Sequence, residues 1–239
     1  MPDAPEGDVA VLVPAAGSGT RLGGQRKQYR LLGDAPLLVQ TLRAFDRHPH
    51  IACMIVAVPE IDAASMQRAL DEEKWRAPLR VVAGGASRQD SVAAALHAAP
   101  ESVAMVLVHD AVRPFLSPDS IAEVIHAVRM QGAAALAVPL ADTLRAGADG
   151  QFAETRPRDG LFRMQTPQGC RRDWFEAAHE KARAESYQAT DDVDLVQRSG
   201  KEVAIVQGDP LNIKITTPED WAFAQWLWPQ WEARISAQS

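Results

Sequence analysis

Residues 13–29 combine glycines and positively charged side chains in a pattern suited to binding phosphate. The segment reads VPAAGSGTRLGGQRKQY, and its glycines permit backbone conformations and close approaches that side chains would block. Residues 9–33 contain four cations and no Asp or Glu, although the whole chain has a formal net charge of -6. The positive charge is therefore local. The glycines are Gly17, Gly19, Gly23 and Gly24, and the cations are Arg21, Arg26, Lys27 and Arg30.

This glycine loop does not match two common nucleotide-binding motifs. A Walker loop continues with lysine and Ser or Thr, whereas Gly19 is followed by Thr20 and Arg21. The dinucleotide-binding fingerprint GxGxxG is one residue shorter than the GxGxxxG found here. The remaining interpretation is a loop that binds a nucleoside triphosphate.

The elements that must position this loop are predicted strands and helices that alternate along the chain. Six apolar, β-branched runs are mostly separated by stretches with helical spacing, which predicts a Rossmann-like, doubly wound α/β fold with a mostly parallel sheet. In such sheets, ligands bind beyond the carboxyl ends of the strands. The glycine loop follows the first run, Gly84 and Gly85 follow the third, and His109 and Asp110 follow the fourth, so we expect all three to meet at one edge. The runs are residues 9–13, 52–58, 79–82, 103–108, 133–138 and 202–206.

Composition restricts the class of protein. A length of 239 residues with 46% apolar content suits a single domain over residues 1–239. The acidic balance, 31 Asp plus Glu against 25 Lys plus Arg, argues against nucleic-acid binding. No apolar run approaches the roughly 20 residues needed to span a membrane, and the first residues do not resemble a signal peptide, so we expect a cytoplasmic protein. Cys53 and Cys170 have no metal-ligand spacing and are expected to be buried thiols.

Residues 140–163 interrupt the alternation of strands and helices. The pairs Asp149-Gly150 and Asp159-Gly160 are turn signals, and the segment between them has a mixed polar pattern. One interpretation is a projecting β-hairpin arm that packs on a second copy of the chain, which would make the protein a homodimer. The other interpretation is a long loop.

Several motifs in order resemble the 2-C-methyl-D-erythritol 4-phosphate cytidylyltransferase family of the non-mevalonate isoprenoid pathway. The resemblance runs nearly end to end, and it implies an enzyme that transfers CMP from CTP to 2-C-methyl-D-erythritol 4-phosphate and releases pyrophosphate. The related ribitol-phosphate cytidylyltransferases tend to have AGG and KQF where this chain has AAG and KQY. The motifs are PAAGSGTRL (14–22), KQY (27–29), GGASRQDSV (84–92), VHDAVRPF (108–115), DT (142–143), TPQ (166–168), TDD (190–192) and NIKIT (212–216).

The resemblance implies two groups of nucleotide-binding residues. Arg21 and Lys27 would contact the triphosphate and stabilise the charge that develops around the α-phosphorus. The second group would bind phosphate oxygens or the base through backbone groups and one hydroxyl, although Ser91 could instead serve only as a helix cap. This second group comprises Ala15, Ala16, Gly17, Ser18, Gly19, Gly84, Gly85 and Ser91.

The resemblance also implies an acceptor site and a divalent cation. Lys214 would contact the acceptor phosphate from the same chain and Arg158 from the neighbouring subunit, with Arg156 as a competitor for the second role. Arg113, Thr143 and Thr190 would complete the acceptor site. Asp110 would contact either ribose or Mg²⁺, and the cation would otherwise be held by the phosphates of CTP. His109 is expected to be a structural histidine.

Two other functions share many of these features. A ribitol 5-phosphate cytidylyltransferase would keep the CTP half of the site and differ around Thr143, Arg158 and Thr190. A nucleotide-sensing module on the same fold would bind CTP without turnover, although the presence of Arg21, Lys27, Asp110 and Lys214 argues against it.

Overall fold

A computed structural model describes residues 7–17 and 27–237. The strands are β1 (Val9–Pro14), β2 (Leu31–Leu32), β3 (Ala35–Pro36), β4 (Ile51–Val58), β5 (Leu79–Ala83), β6 (Met105–Val108), β7 (Ala133–Pro139), β8 (Leu144–Ala148), β9 (Gln151–Arg156), β10 (Phe162–Arg171) and β11 (Ala204–Gln207). The helices are α1 (Leu37–Asp46), α2 (Glu60–Asp71), α3 (Arg88–His97), α4 (Pro118–Gln131), α5 (Arg172–Ala184), α6 (Asp192–Arg198) and α7 (Pro218–Ser236), and Lys27–Tyr29 form a 3₁₀ turn.

Seven strands form the central sheet in the order β11-β7-β10-β6-β1-β4-β5. All neighbouring pairs are parallel except those of β10, which runs antiparallel to β6 and to β7. The predicted α/β fold and its mostly parallel sheet are confirmed, and each of the six predicted runs overlaps a strand of this sheet. The seventh strand, β10, was not predicted, because its buried residues include Gln165, Thr166 and Gln168 and its sequence therefore contains no apolar run.

Helices cover both faces of the sheet, and this explains why the sequence of β1 is continuously apolar. Its alternate residues point to opposite faces. Val11 lies in the cluster packed by α1, α2 and α4, and Leu12 lies in the cluster packed by α3, α5 and α6. Both residues are fully buried, so neither face of the strand can carry polar groups.

A third cluster holds the segment that follows β6. Phe115 lies 5.9 Å from Trp228 and 5.7 Å from Trp231 between ring centroids, and Val112 and Ile215 belong to the same cluster. Trp228 and Trp231 of α7 are therefore core residues, and they pack against the segment of residues 112–115. Ser117 and Thr217 are the N-caps of α4 and α7, and their side chains accept hydrogen bonds from backbone N–H groups of these helices.

The interrupting segment contains a β-hairpin, formed by β8 and β9 around the turn at Asp149 and Gly150. The hairpin occupies residues 144–156, and β10 begins at Phe162 as part of the central sheet. Every residue of β9 is exposed, and Phe152 is 86% exposed. In the described ranges, no helix is long and apolar enough to cross a membrane.

Candidate active site

The glycine loop follows the carboxyl end of β1, and two hydrogen bonds of Ala15 hold its start in place. The Ala15 N–H donates to the Ala57 carbonyl at 2.7 Å, and the Gln28 side-chain amide donates to the Ala15 carbonyl at 3.0 Å. Gln28 follows the loop directly, so it holds both ends of the loop together. Of the predicted phosphate-binding residues, Ser18, Gly19 and Arg21 lie outside the described residues, as does the side chain of Lys27.

Gly84 brings the predicted base-binding segment against this loop. A Cβ atom at Gly84 would lie 2.7 Å from the Ala16 Cβ and 2.8 Å from the Ser91 Oγ, so only glycine allows this approach without displacement. The Ser91 hydroxyl donates to the Ser87 carbonyl at 2.9 Å and accepts from the Gly85 N–H at 3.2 Å. The structure therefore brings the predicted residues Ala16, Gly84 and Ser91 together.

The N-cap of α3 is Ser87, one turn before Ser91. Its hydroxyl accepts from the Asp90 N–H at 3.0 Å, and the Asp90 carboxylate accepts from the Ser87 N–H at 3.1 Å, which completes a capping box. The Ser91 hydroxyl therefore supports the turn at Gly85 rather than capping the helix.

Asp110, at the carboxyl end of β6, is surrounded by three cations. Its Oδ2 lies 3.0 Å from the Lys214 Nζ and 3.2 Å from the Arg113 Nε, and its Oδ1 lies 3.5 Å from the Arg88 Nε. Burial alone would raise the pKa of Asp110, but Lys214, Arg88 and Arg113 outweigh burial and hold that pKa well below its usual range. Asp110 is therefore a buried carboxylate that stays ionised. The structure therefore brings the predicted residues together, since Asp110 contacts both Arg113 and Lys214.

His109 has the structural role that the sequence predicts. Its Nε2 lies 3.0 Å from the Arg113 carbonyl, which can only accept, so Nε2 carries the proton of the neutral ring. Its Nδ1 then accepts from the Thr166 hydroxyl at 3.0 Å, and that hydroxyl oxygen accepts from the Asp110 N–H at 3.1 Å. Complete burial lowers the pKa of His109 to about 4. His109 and Thr166 thus fix the backbone on both sides of Asp110.

Three further residues link the later motifs to this edge, and sequence reasoning assigned them no role. The Asn212 amide donates to the Thr166 carbonyl at 2.9 Å, and the Asn212 carbonyl accepts from Arg113 at 2.7 Å. The Gln168 Oε1 accepts from the Asp192 N–H at 2.9 Å. Thr166, Gln168 and Asn212 all lie in motifs on which the family resemblance rests. The sequence therefore marked these motifs, but it did not show which contacts the three residues make.

The remaining predicted acceptor residues are Thr143, Arg158 and Thr190. Thr143 directly precedes β8. Arg158 follows β9, and its side chain donates to the carbonyl of Ala141, which lies on the other side of the hairpin in the sequence. Thr190 is exposed, and its N–H donates to the Asp194 carboxylate at 3.0 Å. In the described part of the chain, no hydrogen bond or ion pair joins these three residues to Asp110.

Two observations bear on a metal ion. Among residues 7–17 and 27–237, no group of three or more His, Cys, Asp and Glu side chains could hold one. The Asp110 Oδ1, however, has a cation only at 3.5 Å, so this carboxylate oxygen retains capacity for a further ligand. Asp110 therefore fits a site in which most metal ligands come from a bound phosphate.

A cavity of about 630 Å³ lies near the opposite edge of the sheet, lined by residues such as Asp8, Arg129 and Arg172. Its basic side chains are already paired, since Arg129 lies 2.8 Å from Asp8 and Arg172 lies 2.7 Å from Glu176. The glycine loop, the Gly84 turn and the Asp110 cluster lie instead at the carboxyl edge, which we therefore take as the candidate site.

Comparison with known proteins gives a consistent result. The family described as 2-C-methyl-D-erythritol 4-phosphate cytidylyltransferase (IspD) matches residues 9–229. A protein of that name from Salinibacter ruber is 54% identical over 223 residues, which is 93% of this chain and 94% of that protein. The crystal structure of 4-diphosphocytidyl-2C-methyl-D-erythritol synthase from Anaerococcus prevotii superposes with a TM-score of 0.79 at 30% identity, covering 92% of this chain and 97% of that one. The cytidylyltransferase structure from Thermus thermophilus gives 0.75 at 35% identity, covering 92% and 96%.

The buried state of His109 predicts a loss of stability in mild acid. The unfolded chain binds a proton at this imidazole near pH 6.5, whereas the folded protein binds it only near pH 4. Between these values the unfolded state holds more protons, so acidification favours unfolding. From pH 7 to pH 5, His109 alone should remove about 2 kcal/mol of the free energy of unfolding.

Urea denaturation at pH 7 and pH 5 measures this loss. The His109→Gln variant should lose about 2 kcal/mol less than the wild type between the two pH values, whatever its stability at pH 7. His179→Gln gives a parallel test, because burial lowers the pKa of His179 to about 4 as well. An unchanged pH dependence in His109→Gln would contradict the assignment of a buried neutral imidazole.

Proposed function

The chain belongs to the 2-C-methyl-D-erythritol 4-phosphate cytidylyltransferase family, and from this membership we propose that CTP and its acceptor react at the carboxyl edge of the central sheet. The enzyme transfers CMP from CTP to 2-C-methyl-D-erythritol 4-phosphate in the non-mevalonate synthesis of isoprenoid precursors. The products are 4-diphosphocytidyl-2-C-methyl-D-erythritol and pyrophosphate. The observation that carries the location is the meeting of the glycine loop, the Gly84 turn and the Asp110 cluster at this edge.

The reaction joins two polyanions, so its main requirement is neutralisation of charge. An oxygen of the acceptor phosphate attacks the α-phosphorus of CTP, the new P–O bond forms, and the bond to pyrophosphate breaks. No protein base is required, because a phosphate monoester with a second pKa of about 6 is already largely anionic at neutral pH. The work of the protein is to orient the two phosphates in line and to offset their repulsion.

The residues divide this work between the two substrates. Arg21 and Lys27 bind the triphosphate together with the backbone of Ala15, Ala16, Gly17, Ser18 and Gly19, while Gly84, Gly85 and Ser91 bind the cytosine. Lys214 binds the acceptor phosphate beside Arg113. The 3.0 Å contact between Lys214 and Asp110 supports this role, because it holds the ammonium group at the edge before substrate arrives.

A divalent cation, Mg²⁺ or an equivalent, would be held by the phosphates of CTP and by Asp110. Its contribution when bound is to neutralise phosphate charge that the protein cations leave uncovered. Asp110 itself orients Lys214 and Arg113 through its Oδ2, and its Oδ1, which Arg88 approaches to 3.5 Å, would contact the metal or the ribose.

We further propose that the enzyme acts as a homodimer in which the hairpin of one subunit reaches the active site of the other. The exposure of every β9 residue supports this arrangement, because an apolar side chain such as Phe152 gains stability only when a partner covers it. Thr143 and Arg158 would then contact the acceptor of the neighbouring subunit, and Thr190 that of its own. Localisation in the cytoplasm stays a prediction from the sequence.

Pyrophosphate release tests the function directly. With CTP and Mg²⁺ present, we expect release with 2-C-methyl-D-erythritol 4-phosphate and little with ribitol 5-phosphate, because the acceptor site must match the hydroxyls of one sugar alcohol. A preference for ribitol 5-phosphate would assign the chain to the related enzymes. Binding of CTP without turnover of either acceptor would support a sensing module instead.

The role of the hairpin predicts a specific kinetic defect. Arg158→Ala should raise the KM for the acceptor or lower kcat at least tenfold and leave the Kd of CTP nearly unchanged, because only an acceptor contact is removed. Arg156→Ala is the matched control, since the Arg156 side chain is paired with Glu154 at 2.7 Å on the same hairpin. If Arg156→Ala is the impaired variant, the assignment shifts by two residues.

Mixed dimers separate action across the interface from action within one chain. A dimer with Lys27→Ala on one chain and Arg158→Ala on the other should retain one intact site if Arg158 acts on the neighbouring subunit. Activity near half that of the wild type is the expected result. If Arg158 instead serves its own chain, both sites are defective and activity should be nearly absent.

A further inference from the structure

Arg88 connects three parts of the candidate site that are far apart in the sequence. It is the first residue of α3, directly after the base-binding turn at Gly84 and Gly85. Its Nη2 lies 2.6 Å from the Asp192 Oδ2 at the start of α6, and its Nε lies 3.5 Å from the Asp110 Oδ1 at the end of β6. One guanidinium therefore bridges the nucleotide side, the central carboxylate and the acceptor side.

Asp192 depends on this contact. Its side chain is only 3% exposed, and its Oδ1 accepts no hydrogen bond among the residues that the structure describes. Burial opposes the charge on Arg88, but Asp192 and Asp110 outweigh burial and raise the pKa of Arg88 above its usual value. Arg88 is thus a permanent cation shared between two carboxylates.

Each of the segments that Arg88 joins is also held by its own hydrogen bonds. The capping box of Ser87 and Asp90 and the contacts of Ser91 maintain the start of α3. The Asp191 side chain caps α6, and Gln168 holds the backbone at Asp192. Loss of Arg88 would therefore leave both segments locally intact. What it would remove is the link that sets their distance and orientation.

We propose that Arg88 is a positioning residue that aligns the CTP site with the acceptor site by clamping Asp192 and Asp110 to the start of α3. The inference rests on the proposed function and adds a residue that touches neither substrate. It also explains how Asp110 stays in place when Lys214 turns toward an acceptor phosphate, because Arg88 and Arg113 remain on the carboxylate.

The decisive variant removes the bridge without leaving an unpaired charge. In Arg88→Met/Asp192→Asn, the protein should remain folded, and the Kd of CTP should change less than threefold because the base-binding turn is self-supporting. The kcat/KM for 2-C-methyl-D-erythritol 4-phosphate should fall at least tenfold. Arg88→Lys, which keeps the charge but cannot reach both carboxylates equally, should lose activity to an intermediate extent.

Arg43→Met is the matched control for a bridging arginine outside the site. The Arg43 side chain is 30% exposed, against 32% for Arg88, and it also joins two carboxylates, those of Asp34 and Glu73, at 3.0 and 2.9 Å. This control should keep the wild-type kcat/KM in the folded protein. An equal loss in the control would show a general effect of stability and would overturn the proposal.

Further outcomes would also overturn it. These are a kcat/KM within twofold of wild type in the double variant, or a loss of CTP affinity as large as the loss of kcat/KM. If the double variant does not fold, the same measurements are made on Arg88→Lys. A kcat/KM within twofold of wild type, or an equally large loss of CTP affinity, would then overturn the proposal.

A binding measurement separates this inference from the proposed function. Titration of 2-C-methyl-D-erythritol 4-phosphate into protein saturated with α,β-methylene-CTP, which cannot release pyrophosphate, requires no turnover. The Kd of the acceptor should rise at least tenfold in the double variant and remain unchanged in Arg43→Met. If the wild type binds both ligands but forms no product, the proposed function fails while the alignment role can still be measured.

Discussion

The buried carboxylate of Asp110 is the constraint on which the rest of this site depends. A charge at this depth is stable only when cations compensate for lost water, and removal of one partner of a buried pair typically costs about 3–5 kcal/mol. The compensating groups are Arg88 from the start of α3, Arg113 from the turn after β6 and Lys214 from the segment before α7. Folding must therefore bring three distant parts of the chain to one point. Their arrival also collects positive charge at the edge of the sheet where we propose that the two phosphorylated substrates bind.

Hydrogen bonds and close packing hold the scaffold around this point. The parallel strands deliver the glycine loop, the Gly84 turn and Asp110 to the same edge, and the missing side chain at Gly84 lets the first two touch. The neutral imidazole of His109 and the hydroxyl of Thr166 fix the backbone beside Asp110, while Phe115 packs on the tryptophans of α7 behind it. Catalysis by positioning and charge requires such a fixed arrangement, because groups that must reorganise during the reaction lose much of their electrostatic advantage.

Much of this could be predicted from local patterns. Continuous apolar runs indicate buried strands, glycines followed by cations indicate a phosphate loop, and polar residues after strands indicate a shared edge, so Asp110 could be placed at this edge in advance. Lys214 was named only through the family resemblance of its motif. Antiparallel β10 escaped prediction because its buried part carries polar side chains such as Gln165, Thr166 and Gln168 instead of an apolar run. Arg88 and Gln168 escaped because their importance lies in contacts across 104 and 24 residues of sequence, and no local pattern records such pairs. For the hairpin, the turn residues could be recognised in the sequence. The surface proposed to cover it belongs to a second chain, and local patterns within one chain do not describe such a contact.

A crystal structure of the protein with CTP and Mg²⁺, without acceptor, would test the central claim most directly. We expect the cytosine to lie against residues 84–91 and the triphosphate to lie against residues 15–17 and the cations that follow. Asp110 should lie within reach of the ribose or the metal ion. Nucleotide bound away from this edge, for example in the cavity lined by Arg129 and Arg172, would contradict the account. So would nucleotide at this edge with its phosphates turned away from Asp110 and Lys214.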